Sequence, residues 1–133
     1  MWRFGFASAS LLLYLISLCL PALGVGGASR VYRGFECLVE LPLALMYSAW
    51  WANPVFAMGI ILAYVGKRVA GGICGVIALL FSLSYFLYVI QDFEYNLEPV
   101  RIGYWFWVAA MSVLAASLFP PWPPAARVPE GPS

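Results

Sequence analysis

The sequence predicts an all-α protein: an integral membrane bundle of four transmembrane helices, the second kinked or broken at Asn53-Pro54. Three observations predict it. First, 64% of the 133 residues are hydrophobic and only 10% are charged. A water-soluble domain is nearer half apolar and a quarter charged, so too few polar side chains remain to coat a water-facing surface. Second, four long apolar stretches are separated by connectors at 24–41, 66–68 and 91–101, and a helix needs about 20 apolar residues to cross a bilayer. Third, the apolar runs carry small residues at helical spacing, as helices packed in lipid do.

The first span is assigned to residues 4–23. Arg3, the run Leu11–Leu20 and the small residues after Pro21 also fit a secretory signal peptide. The stretch is longer than a signal core, which favours a retained helix.

The second span, residues 42–65, contains no charge but is interrupted by Trp50-Trp51-Ala52-Asn53-Pro54. Two local structures compete. Pro54 kinks a continuous helix, because it lacks the amide hydrogen a helix interior uses. Alternatively Asn53 is an N-cap and Pro54 the first helical residue, where the missing donor is harmless. Trp50 and Trp51 suit a membrane–water interface and the second structure; the length of the stretch suits the first. In both, Asn53 has a structural task, as cap or as partner for the carbonyl that proline frees near residue 50.

The third span, residues 69–90, opens with Gly71-x-x-x-Gly75, with Ala78 beyond. This spacing lets helix backbones approach closely. Packing within the chain, against the helix ending at Val65, is the primary expectation; a dimer seam is the sharper one. Phe81, Tyr85 and Tyr88 form a stripe that suits a core face.

The fourth span, residues 102–119, begins with Tyr104, Trp105 and Trp107, an aromatic belt just after Arg101. Residues 120–133, with PPWPP, cannot continue a helix and are expected to be a disordered tail.

Lysine and arginine in short loops set orientation. With the N-terminus inside, Arg3, Lys67, Arg68 and Arg127 are cytoplasmic, against Arg30, Arg33 and Arg101 outside. Both termini are therefore placed in the cytoplasm.

The composition also narrows function. The net charge of +1 excludes the strong field that nucleic acid or an acidic substrate would need. The absence of histidine removes the commonest general base and metal ligand. Cys19, Cys37 and Cys74 are isolated and odd in number, so they make no fully paired disulfide framework. No nucleotide motif, CxxC pair or metal-ligand cluster appears, and no cofactor is expected. The polar set that stands out is an edge drawn from two connectors: Arg33, Glu36, Glu40, Glu98 and Arg101. Glu36 and Glu40 share a helix face and repel unless neutralised by Arg33, Arg101 or a bound cation. A solvated rim is the plainer expectation.

Gly34-Phe35-Glu36-Cys37-Leu38, Ala52-Asn53-Pro54 and Gly103-Tyr104-Trp105-Phe106-Trp107 with Ser112 resemble recurring features of small uncharacterised bacterial inner-membrane proteins. The resemblance covers roughly residues 34–115. It implies a bacterial membrane location, and no activity or functional residue comes with it. The expected role is non-enzymatic: packing with a membrane-protein partner or as a homo-oligomer within the lipid bilayer. An oligomeric transport or permeation unit around Asn53 and the acidic edge, or an immunity-type membrane protein, is the alternative.

Overall fold

A computed structural model of the chain describes residues 5–25, 30–39, 48–91 and 101–119. Helix predominates. The order is α1 (Gly5–Cys19), β1 (Pro21–Val25), β2 (Arg30–Arg33), α2 (Gly34–Val39), a 3-10 turn (Ser48–Trp51), α3 (Ala52–Tyr64), α4 (Arg68–Gln91) and α5 (Ile102–Ala116). Residues 40–47, 92–100 and 120–133 lie outside the described residues, and with them Glu40, Glu98 and the proline-rich tail.

Among the described residues one helix, α4, is long and apolar enough to cross a membrane. The other apolar helices are shorter: α1, α5 and the run Ala49–Tyr64. The expected first span is cut at its end. α1 stops at Cys19, because Pro21 has no amide to donate and restricts the residue before it. One pair of short strands then interrupts a chain that is otherwise helical, as the all-α expectation has it. β1 and β2 pair antiparallel, with Pro21 opposite Arg33 and Leu23 opposite Tyr32. Proline is tolerated at the first position of a strand. The register shifts between Pro21 and Leu23, and the carbonyl of Ala22 at that bulge accepts the amide of Arg101, 3.0 Å away. The hairpin is thereby fastened to the start of α5. Gly103 confirms the closeness: a Cβ there would meet the carbonyl oxygens of Leu20 and Pro21 at 2.9 and 2.8 Å.

Of the expected second span, residues 42–47 lie outside the described residues, and the described part is helical through Asn53 and Pro54. A 3-10 turn over Ser48–Trp51 runs directly into α3. The N-cap is Trp51, with helical backbone angles, and not Asn53. Asn53 is the second residue of α3 and Pro54 the third. Pro54 thus lies in the first turn, where a missing amide does least harm.

The far end of α3 closes with a Schellman motif. The amide of Lys67 bonds the carbonyl of Leu62 at 2.9 Å, and that of Gly66 bonds Ala63 at 3.2 Å. Gly66 sits at φ +90°, a left-handed conformation that glycine adopts without a Cβ penalty. The chain reverses there in two residues and enters α4.

α3 packs against α4, α4 against α5, and α5 against α1. Among the described residues the interior is built mainly from small groups: Ala7, Ser10, Ala52, Ala78, Ser82 and Ala110 are buried, with Phe56, Ile60, Tyr104, Met111 and Leu114 as larger members. The exterior carries the large apolar side chains. Leu12 is 60% exposed, Val69 65% and Leu80 64%. This inverts the usual arrangement of a water-soluble core, in which leucine, valine and isoleucine are the residues most often buried.

Candidate functional site

Polar groups inside an apolar bundle are costly unless paired, so the places where they gather are the candidates for function. One such gathering among the described residues is centred on Asn53. Its side-chain oxygen accepts two hydrogen bonds, from the Tyr14 hydroxyl at 3.1 Å and from the Trp107 indole nitrogen at 3.0 Å. Its amide nitrogen donates to the carbonyl of Trp50 at 3.2 Å. The amide orientation follows from the partners: both Tyr14 and Trp107 present hydrogens, and only an oxygen can receive them.

The sequence folds this way for local reasons. Trp50 is four residues before Pro54, so its carbonyl is the one an unbroken helix would have bonded to the proline amide. The neighbouring asparagine supplies that donor from its side chain instead. Tyr14 reaches the site from α1 and Trp107 from α5, so one side-chain amide joins three helices. The Tyr14 ring also stacks on buried Phe56, centroids 4.8 Å apart, which fixes the direction of its hydroxyl.

A second tie lies nearer the hairpin. The buried Tyr104 hydroxyl donates to the carbonyl of Ser82 at 2.8 Å, and its ring lies against those of Tyr85 and Trp107. Deeper on α1, Ser10 donates to the carbonyl of Ala110 at 2.6 Å. Ser17, Ser82, Ser84 and Ser112 each donate to a carbonyl three or four residues back in their own helices. Nearly every described hydroxyl in the helices therefore has an acceptor. Two buried polar atoms have no partner among the described residues, the Trp50 indole nitrogen and the Ser117 hydroxyl.

The expected polar edge is placed in part. Arg33 pairs with Pro21 in the hairpin, and Arg101 is fastened by its amide to Ala22, so both arginines come to the same end of the bundle. Glu36 accepts the amide of Arg33 at 2.7 Å. That is half of a capping box at the start of α2, and it gives Glu36 a structural task. The α2 helix itself is set against the end of α1: a Cβ on Gly34 would overlap the carbonyl of Ser17.

The glycines of the expected seam face two different helices. A Cβ on Gly71 would lie 2.8 Å from the carbonyl oxygen of Gly59, in α3. One on Gly75 would lie 2.6 Å from the amide nitrogen of Ala115, in α5. Both are occupied within the chain, so this pair leaves no open groove for a second copy.

Arg68 has a function that loop composition did not suggest. Its guanidinium donates to the carbonyl of Ser117 and, at 2.6 Å, to that of Phe119. These are orphan carbonyls at the end of α5, where a cation also opposes the negative end of the helix dipole. The signal was available only in the spacing of a basic residue against the end of a distant helix.

Chemically, the Asn53 cluster can hold helices together but lacks the parts of a catalytic centre. Asparagine neither gains nor loses a proton near neutral pH, and its oxygen is already doubly occupied. No family model matches the chain, and neither does a curated protein or a solved structure.

Proposed function

We propose that this protein is a small polytopic membrane protein that acts without enzymatic chemistry, through the outer surface of its helix bundle, by packing against a membrane partner or a second copy. The observation that carries this is the inversion of core and exterior. Alanine, glycine and serine line the helix contacts, while Leu12, Leu15, Ile61, Val69, Ile73 and Leu80 face outward. In water such a surface would be a large aggregation patch; in lipid it costs nothing. Packing between the helices then depends on close approach and on hydrogen bonds such as those at Asn53, rather than on apolar burial.

We place it in a bacterial inner membrane, crossed by α1, the 3-10 turn with α3, α4 and α5, with both termini cytoplasmic. Support comes from Lys67 and Arg68 in the tight α3–α4 turn, under the preference of basic loops for the cytoplasm. The occupied Gly71–Gly75 pair moves any partner contact to the exposed apolar face of α4. The committed state of the Asn53 side chain disfavours a permeation role, since a solute site needs groups free to bind.

The test is cross-linking in intact membranes. Single cysteines replace Ile73, Leu80 and Leu83 in a chain lacking Cys19, Cys37 and Cys74. A short bis-maleimide is expected to trap a covalent dimer or an adduct with one other membrane protein. A monomer at all three positions overturns the proposal.

A further inference from the structure

The membrane reading leaves open which lipids the bundle fits, and the fastenings at the two ends of α5 address this. The inference rests on that reading. At one end the amide of Arg101 is bonded to Ala22, which anchors the hairpin with Arg33 beside the start of the helix. At the other, the Arg68 guanidinium is bonded to the carbonyls of Ser117 and Phe119. The polar boundaries therefore belong to the same helix. With a rise of about 1.5 Å per residue, Arg101 and Ser117 stand roughly 24 Å apart along its axis. An average hydrocarbon core is about 30 Å thick.

At the Arg68 end and at the start of α5 the ordinary remedies for such a mismatch are closed. Tilting shortens the apolar span further. Snorkelling needs a free charged head, and the head of Arg68 is held by two carbonyls of the same helix end. Lengthening α5 at its start is blocked by the hairpin, which packs on Gly103. α4 meets the same limits over its first part, from Arg68 at Ser117 to Ser82 at Tyr104. It then continues to Gln91, about 14 Å more, on the side where the hairpin sits. A long helix adapts to a thin bilayer by tilting; a short one with fixed ends does not adapt to a thick one.

We propose that the lipid-facing surface of this bundle is matched to a thin bilayer, and that its preferred ligand is the acyl layer of short-chain phospholipids. In thicker membranes the lipid around α5 must thin to meet Arg68 and Arg101.

The experiment reconstitutes the full chain into phosphatidylcholine vesicles of increasing chain length: dimyristoleoyl, dipalmitoleoyl, dioleoyl, dieicosenoyl and dierucoyl. Unfolding by added dodecyl sulfate is followed in each by tryptophan fluorescence. The expected result is greatest resistance in dimyristoleoyl or dipalmitoleoyl lipid, with an unfolded fraction about tenfold lower there than in dieicosenoyl lipid at the same detergent fraction. A maximum in dioleoyl or longer lipid, or equal resistance throughout, overturns the thin-bilayer match while the membrane reading stands. Failure to insert into any vesicle overturns both. Arg68→Lys keeps the charge on a flexible stem without the planar fork, so its optimum should move toward dioleoyl lipid. A folded Arg68→Lys chain with an unmoved optimum overturns the role given to the clasp. If that variant does not fold, the series on the unaltered chain still decides.

Discussion

Tyr14 donates its hydroxyl to the side-chain oxygen of Asn53 across 3.1 Å, tying the middle of α1 to the start of α3. Trp107 of α5 shares the same acceptor. The start of α3 is therefore a joint, in which the side chain that serves the carbonyl freed by proline also receives two other helices.

Replacing Asn53 by leucine removes all three bonds and leaves Tyr14, Trp107 and the Trp50 carbonyl to find new partners. Interhelical hydrogen bonds in lipid are worth roughly 0.6 kcal/mol each, rarely more than about 1.7. A loss of about 2 kcal/mol is expected, read as a lower midpoint of unfolding in mixed micelles. In a double-mutant cycle with Tyr14→Phe, the coupling energy should be near 0.6 kcal/mol. A cycle with no coupling contradicts the joint.

Gly75 and Gly5 make a matched pair of alanine substitutions. At Gly75 the new methyl would fall 2.6 Å from the Ala115 amide nitrogen, a backbone atom that cannot swing aside. Gly75→Ala should destabilise by about 2 kcal/mol, as overpacked cores do. At Gly5 nothing among the described residues stands within 4 Å. Gly5→Ala should be neutral or slightly stabilising, through helix propensity alone. Thermal unfolding of both in the same detergent gives the comparison.

Gly66→Ala tests the α3–α4 turn. Its left-handed backbone admits alanine only with strain, at a cost of about 1 kcal/mol. Gly66→Asn should cost less, because asparagine tolerates this conformation. Equal stabilities for the two variants would count against the turn geometry.

What the sequence disclosed follows from how each feature is encoded. The long apolar runs of α4 and α5 were plain, since composition alone marks them. Asn53 was legible because proline forces an account of the carbonyl four residues back. The two structures weighed there each held part of the answer: Asn53 does serve the Trp50 carbonyl, yet the cap is Trp51. The hairpin was missed because hydropathy merged Pro21–Leu23 with the helix before it. The Gly-Gly-Ala-Ser cluster at 26–29, set between short strands with a branched or aromatic core, is the signal that would have found it. Gly71 and Gly75 marked a close approach, but spacing does not say which helices approach. Arg68 reads as a loop charge until the end of α5 is brought beside it.

The central claim is that the helices thread lipid, with the hairpin and the start of α5 at one surface and the Gly66–Lys67 turn at the other. Its most direct measurement is labelling by a membrane-impermeant maleimide, in sealed vesicles of known orientation, on chains with one cysteine at Val31, Lys67 or Ile102. All three positions are exposed. Val31→Cys and Ile102→Cys are expected to react from one face and Lys67→Cys only from the other. Reaction of all three from a single face would contradict the account.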